Sequence, residues 1–384
     1  MRVVVVGAGA WGFPTAAELV RRGHDVTLVD RHGPGNHLSS SSGPTRLWRV
    51  ADPDPAAVRL GRRAVAALQR LEARVGRPVR TSTGLVWRDT TGSLRQIRDA
   101  VAAEDVTHTE IPAAEVSTYF PGLEPDERDA LWFPEAGALL AAEALAAYGQ
   151  LFDRRGGVAW FGPSVSSVRA TSSGAAVTLD DGRMLDADVV VVCAGPGTPG
   201  LLPDIGLDVP LRAFLEQVVH LGETSGSAAA DALPCLFDGP IEGEAGIYAM
   251  PTPGVGYKIG VDSPLRELVP GDDDRTPDPE RTRAIVARAD RMLPSPGREV
   301  VDELVCCWTD SPDGWFVIDR IESVVVACGD SGKGFKYSAA VGEVLADLAE
   351  GEPMDADVAA MSARRFDGRS FPTWTPTSLG LAPG

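Results

Sequence analysis

The sequence predicts an α/β protein built on two sheets, one mostly parallel around an N-terminal βαβ unit and one mostly antiparallel. Three observations carry this. First, RVVVV at residues 2–6 leads into a glycine-rich turn, a helix-spaced stretch and a second apolar run closed by Asp30. Second, two more continuous apolar runs, 188–193 and 324–328, each lead into glycines. Short unbroken apolar runs bounded by turn residues suit strands covered on both faces, as in parallel sheets. Third, from about 209 to 308 the pattern changes to alternating β-branched and aromatic runs at 214–221, 247–250, 257–261 and 301–309. Such alternation suits antiparallel strands with two chemically different faces.

Taken in order, residues 2–6 form a strand, Gly7, Gly9 and Gly12 punctuate the turn, and a helix follows over 11–22 until Gly23. The next strand is 26–29, and Asp30 stands 18 residues after Gly12. This is a Rossmann-like dinucleotide fingerprint. The glycines let the backbone approach a pyrophosphate, the helix N-terminus favours its charge, and the terminal acid holds a ribose. FAD and NAD are both open on these residues. In the Ser-rich segment that follows, Arg46 and Arg49 lie three apart and share a face if helical. Residues 56–75 predict an amphipathic helix ended by Gly76, 85–87 a strand, 93–103 a helix, and 104–129 a proline-punctuated irregular stretch. A helix over 143–153, a strand at 158–160 and a small meander (164–169, 175–179, 183–185) come next. The strand at 188–193 ends in Ala194 and Gly195, a second approach to the dinucleotide. Residues 271–280 read as a solvated charged loop before a helix at 281–292, and the Pro/Gly/Thr-rich tail after 369 as poorly anchored.

The stretch 305–348 reads as strand, turn, strand, glycine loop and helix, with Gly332 and Gly334 in the loop. Cys306 and Lys336 stand out within it, with a buried structural thiol and a solvated loop lysine as their plain alternatives. The lysine count sharpens this reading. Among 36 basic residues only three are lysine, Lys258, Lys333 and Lys336, and all lie in glycine-flanked segments, GYKIG and SGKGFK. An ammonium shifts its pKa on burial far more readily than a guanidinium, so lysine in an Arg-biased chain points to function.

The formal net charge of −18 argues against nucleic acid and anionic membrane partners. Five cysteines without metal-ligand spacing, mostly in apolar runs, predict no disulfide scaffold and a reducing compartment. Five scattered histidines predict no metal site. The N-terminus lacks the pattern of a signal peptide and no run reaches the ~18 apolar residues of a membrane span, so a cytoplasmic location is expected.

Five segments, in chain order, resemble the monomeric sarcosine oxidase and N-methyltryptophan oxidase family of FAD-dependent amine oxidases, within the D-amino acid oxidase superfamily. GAGAWG with Asp30 is similar to the family's FAD fingerprint. SSGPTRLWR resembles its S-x-x-G-x-T-R-x-x-R segment, GYKIGVD its K-[IL]-G-x-H segment, CCWT its C-x-Y-T segment, and GDSGKGFKYS its G-x-S-G-x-G-F-K segment. The resemblance implies an FAD-binding domain of 1–50, 140–208 and 318–384, with a substrate domain of 51–139 and 209–317. It implies Arg46 near the flavin, Arg49 and Lys336 on a substrate carboxylate, Lys258 as the residue that activates oxygen, and Tyr248 as an active-site tyrosine. It further implies a thioether from Cys306, not Cys307, to the flavin 8α-methyl.

Two positions depart from the pattern. Asp262 stands where sarcosine oxidases have His, and Trp308 where they have Tyr, which puts sarcosine itself in doubt and points to another carboxylate-bearing secondary amine or a cyclic imino or amino acid. Both residues are expected to face the substrate, Asp262 because it lies four residues from Lys258 on a strand. Lys333 has no counterpart in the pattern and is expected on a solvent-exposed loop. The implied partners are a small amino or imino acid and O2, with H2O2 released, in a monomer or small homo-oligomer. Three alternatives stay open: a non-covalent FAD enzyme like glycine or D-amino acid oxidase, a dehydrogenase passing electrons to a protein acceptor, and a catalytically silent FAD-binding subunit.

Overall fold

The computed structural model describes residues 1–223, 228–293 and 299–371. The expected loose tail falls largely beyond them, since 372–384 lie outside the described residues. Valine repeats build the first sheet. Its strand order is Val317–Ile321, Val324–Cys328, Val189–Val192, Arg2–Val6, Asp25–Asp30 and Val158–Phe161. All neighbours are parallel except the first pair. Alternation sends Val3, Val5, Val189 and Val191 into one core, under the helices Gly12–Arg21, Ala141–Asp153 and Ser338–Glu350. Val4, Val6, Val190 and Val192 enter another, with Val168 and Val177 of an antiparallel meander. Each fully buried valine contributes roughly 1.5–3 kcal/mol, so continuous apolar runs are what this two-sided position demands.

The helices start and stop where the chain supplies caps. Asp54 accepts the Ala56 N–H ahead of Pro55–Val75, and Gly76 ends that helix with φ +71°. Asp278 does the same for Pro279–Met292.

The second sheet has nine strands. Arg212–Gly222 lies at its centre of interest, pairing on one side with Gly256–Val261 and on the other with Glu299–Asp310. Ile247–Thr252, Cys235–Asp238, Leu85–Arg88, Ala130–Phe133 and Thr109–Ile111 continue the order. Every ladder is antiparallel except Cys235–Asp238 with Leu85–Arg88. One face packs Val219, Leu221, Tyr257 and Ile259 against Ile285 and Ala289 of the helix Pro279–Met292. The other face is the wall of a cavity.

Among the strands that escaped the sequence reading are four of four residues each: Thr45–Trp48, which pairs with Gly137–Leu140, together with Ala130–Phe133 and Cys235–Asp238; Thr109–Ile111, inside the expected irregular stretch, Arg266–Glu267 and Val317–Ile321 escaped it too. Each of the first four is too short to display a period, and exists through its pairing partners. The strand Thr45–Trp48 also corrects the notion of a helical face shared by Arg46 and Arg49. Arg46 lies in that strand and Arg49 one residue beyond it, and both line the cavity without a helix between them.

Candidate active site

One elongated cavity of about 910 Å³ runs between the two sheets. At one end it is walled by backbone. Gly7 has φ +103°, and a Cβ there would lie 2.2 Å from the Cys193 carbonyl oxygen. A Cβ on Gly12 would lie 1.9 Å from the Gly7 oxygen, so only glycine lets the helix Gly12–Arg21 start this close to the turn. Asp30 closes the end: its carboxylate accepts N–H bonds from Ala8 (2.8 Å), His32 (2.8 Å) and Gly33 (2.7 Å). Ser41 Oγ takes the Ala10 N–H at 2.8 Å. Ala194 and Gly195 line the same stretch, and a Cβ on Gly195 would meet nothing within 4 Å. That open cradle of amides beside a helix N-terminus fits a dinucleotide. Gly332 also lines it, and Gly334 lets the Trp11 indole dock on the second glycine loop, donating Nε1–H to the Gly334 oxygen at 3.1 Å.

Sheet register assembles the far wall. Directly opposed residues share a face. Glu216 lies opposite Cys306 and Phe214 opposite Trp308. Lys258 lies opposite both His220 and Met250, and Gly260 opposite Tyr248. Glu216, Tyr248, Lys258, Cys306 and Trp308 thus come from four strands to one face, and all line the cavity. Gly260 makes room for the Tyr248 ring, because a Cβ there would be 2.3 Å from Tyr248 Cζ. Trp308 stacks obliquely on Phe214, centroids 5.1 Å apart, and its buried Nε1 has no hydrogen-bond partner. Both Cys306 and Cys307 line the cavity; the register puts Cys306 opposite Glu216, whereas Cys307 lies opposite Leu215, packs with it and Val305, and donates to the Leu38 oxygen at 3.3 Å. Burial raises the pKa of both thiols, that of Cys307 to about 11.

Asp262 is the correction. The strand Gly256–Val261 ends one residue before it, the chain bends there, and its N–H binds the Gly246 oxygen at 2.7 Å. It is not among the residues lining the cavity. The carboxyl group on that wall belongs to Glu216, which the sequence reading passed over. Its signal was a lone acid inside the apolar run FLEQVVHL. Glu216 is 3% exposed, its Oε2 has no partner, and burial raises its pKa well above the usual carboxylate range.

The third wall is cationic. Arg49 is buried, stacks on Trp87 at 4.5 Å, and bonds to the Ala51 oxygen and to Asp52 Oδ2 at 3.3 Å. Lys336 Nζ donates to the same Asp52 oxygen at 3.3 Å. Lys333 is 9% exposed rather than on an open loop, with its ammonium 4.5 Å above the Trp315 ring. The reason is local: it caps the short 3-10 turn Gly334–Tyr337, which is packed inside. Burial opposes charge on Asp52, yet Lys336, Lys333 and Arg49 together hold its carboxyl down at about 2. Burial and the neighbouring Arg49 push the Lys336 pKa well below its ordinary value, and burial lowers that of Lys333, so three basic groups share one buried carboxylate and an incoming anion would favour their charged forms. Asp52 was also missed; it stands three residues after Arg49.

Arg46 serves differently. It donates to the Thr45, Ser40 and Ser42 carbonyl oxygens and lies 5.5 Å from the Phe335 ring, pinning the Ser-rich loop beside the cavity. Lys258 Nζ donates to the Thr45 oxygen at 2.6 Å, and burial with Arg46 nearby lowers its pKa to about 7. No group of His, Cys, Asp or Glu able to hold a metal ion occurs among the described residues.

A glycine-lined dinucleotide cradle opening onto a buried cluster of Arg49, Lys336 and Asp52 defines a dinucleotide-dependent enzyme. More narrowly, the chain belongs to the FAD dependent oxidoreductase family (DAO), whose model matches residues 2–348. It is similar to monomeric sarcosine oxidase of Streptomyces avermitilis, 29% identical over 358 residues, covering 90% of this chain and 93% of that protein. It is also similar to N-methyl-L-tryptophan oxidase of Escherichia coli O157:H7, 25% identical over 385 residues, covering 95% of this chain and 99% of that protein. The solved structure of NikD, an unusual amino acid oxidase essential for nikkomycin biosynthesis, matches with a TM-score of 0.80 at 22% identity, over 94% of this chain and 96% of that one. The structural match concerns the fold alone.

Proposed function

We propose that the chain is an FAD-dependent amine oxidase. It oxidises a carboxylate-bearing secondary amine, or a cyclic imino or amino acid, with O2 as acceptor and H2O2 as co-product. The observation that carries this is the buried cluster of Arg49, Lys336 and Asp52, whose two basic side chains line the same cavity as the dinucleotide cradle and Lys258. Sarcosine and N-methyl-L-tryptophan, named for two of the relatives, are carboxylate-bearing secondary amines, which supports the reading.

Gly7, Gly9, Gly12 and Asp30 would hold the adenosine and pyrophosphate of FAD, with Ala194, Gly195, Gly332, Gly334 and Arg46 along the rest and Cys306 as the thioether donor. Bound FAD supplies the two-electron acceptor for the C–H bond beside nitrogen and passes the electrons to O2. The protein does the remaining work by orientation and electrostatics. Arg49 and Lys336 take the substrate carboxylate by charge-assisted hydrogen bonds, which fixes the amine end toward the sheet face. Tyr248 is a neutral phenol there, its pKa raised by burial and by Glu216, so it donates a hydrogen bond rather than a charge. Trp308 and Met250 keep that wall apolar and exclude water. Lys258 places a cation where O2 acquires negative charge. We further infer that residues 1–50, 140–208 and 318–384 form the FAD-binding domain and 51–139 with 209–317 the substrate domain, supported by the division of strands between the two sheets. The five free cysteines support a cytoplasmic setting, and no described helix is long and apolar enough to cross a membrane.

The test is H2O2 release from purified protein across N-alkyl amino acids and cyclic imino acids, alongside anaerobic bleaching of its flavin. Absence of both with every carboxylate-bearing amine overturns the proposal. The thioether is tested separately: acid-precipitated protein should stay yellow, Cys306→Ala should lose that colour and Cys307→Ala should keep it. The reverse outcome assigns the bond to the wrong thiol.

A further inference from the structure

The carboxylate clamp uses two of the cluster's three cations, and the third is unaccounted for. Lys333 Nζ makes no hydrogen bond and no ion pair among the described residues; its one close contact is the Trp315 face. Trp315 is itself stacked on Phe316 at 5.0 Å with the planes 6° apart, so the platform under the ammonium is fixed. Lys333 lines the cavity, and it sits three residues from Lys336 across Gly334 and Phe335. Asp52 is the carboxylate closest in effect, and it already accepts from Arg49 and Lys336. Burial lowers the Lys333 pKa, and Asp54 and Asp310, like Asp52, only partly offset this. Asp54 caps the helix Pro55–Val75 through the Ala56 N–H, and Asp310 acts on Arg212 as well.

A buried lysine parked on an aromatic face, with no hydrogen bond or ion pair of its own, beside Arg49 and Lys336 already sharing Asp52, is a vacant recognition element for an anion. We propose that Lys333 receives a second anionic group of the substrate, so that the preferred amine is a dicarboxylate rather than a simple N-methyl monocarboxylate. This rests on the amine oxidase reading and specifies its substrate class. Arg49 and Lys336 hold the carboxylate nearest the reacting carbon, and Lys333 holds the one at the end of the side chain. A neutral side chain would leave the third cation buried and unpaired, which disfavours substrates of that kind.

The experiment uses the flavin-loaded enzyme at constant ionic strength. Acetate, malonate, succinate and glutarate are titrated against flavin absorbance and by calorimetry, and N-methyl-aspartate and N-methyl-glutamate are compared with N-methyl-alanine in turnover. At least one dicarboxylate should bind about tenfold or more tighter than acetate, the low end for a hydrogen bond to a charged group. The matching N-methyl dicarboxylate should show a similar advantage in kcat/KM. Lys333→Met should bring both ratios to within about twofold while leaving acetate affinity nearly unchanged, and Lys333→Arg should retain much of the preference. Dicarboxylates no tighter than acetate, or a preference that survives Lys333→Met, overturns the inference and leaves the amine oxidase reading standing. If acetate and the dicarboxylates all fail to bind, the Arg49–Lys336 clamp is wrong, and the role of Lys333 falls with it.

Discussion

At one end of the cavity Asp30 is surrounded by three backbone N–H donors, from Ala8, His32 and Gly33. At the other, Asp52 is surrounded by three cationic side chains, Arg49, Lys333 and Lys336. The donors to Asp30 lie within 22 residues of it, whereas Lys336 is 284 residues from Asp52. The first carboxylate closes a turn, and its environment follows from local geometry that glycine alone permits. The second is held by tertiary structure, where basic side chains distant in sequence converge on one carboxylate. In the proposed function, one end would retain the cofactor by shape and the other would select a substrate by charge.

Substitutions separate these roles, beginning with the largest effect. Gly12→Ala places a Cβ 1.9 Å from the Gly7 oxygen and has no flexible neighbour to displace. Protein of this variant should be purified without flavin, read as the ratio of visible to ultraviolet absorbance; a normally coloured protein would break the contrast between the two ends. Lys258→Met should keep its flavin yet slow reoxidation by O2 on the order of 100-fold, with much less effect on anaerobic reduction. Because the Lys258 pKa is lowered to about 7, the cation is present below that pH and lost above it. Native reoxidation should therefore fall as pH rises through about 7, and the Lys258→Met profile should be flat. Equal slowing of both half-reactions would make Lys258 a substrate or structural residue.

Asp52→Asn removes the anion from three buried cations and should cost about 3–5 kcal/mol in urea unfolding. The carboxyl of Asp52 sits at about 2, below its ordinary 3.8, so its stabilisation is complete above about pH 4 and is lost as pH falls toward 2. Native protein should lose about 2 kcal/mol across that window that the variant does not. An unfolding free energy insensitive to the substitution would mean that the cluster is not organised around Asp52.

Glu216→Gln is the mildest. Its folded pKa lies above the ordinary 4.5, so its contribution to stability is present below about pH 4.5 and is lost as pH rises through the folded value. Gln stays neutral throughout. The variant should match native stability near pH 4 and exceed it at pH 8 by at least about 1 kcal/mol. A variant less stable at pH 8 would show that Glu216 is ionised and paired in the folded protein.

The same contrast explains what could be read in advance. RVVVV, the glycine turn and Asp30 announced a dinucleotide unit because strand, turn and helix N-terminus are consecutive, and the glycines are required by contacts within that unit. The helix expected over 56–75 was equally plain, with Gly76 to stop it; the structure adds Asp54 as its cap. The rarity of lysine marked Lys258, Lys333 and Lys336, and the structure buries all three.

Residues placed by partners far along the chain were beyond reach. The four-residue strand Thr45–Trp48 owes its form to Gly137–Leu140, almost a hundred positions away. Asp262 was expected in the cavity by extending the Lys258 alternation across four residues, and the strand stops one residue short. Glu216 gains its place from the register of Arg212–Gly222 against Glu299–Asp310, which puts it opposite Cys306. The sequence by itself determined the dinucleotide turn, the buried valine strands and the residue types available for charge. Tertiary structure alone decided which of those charges share a cavity, because burial and the company of other ions depend on distances that no spacing along the chain encodes.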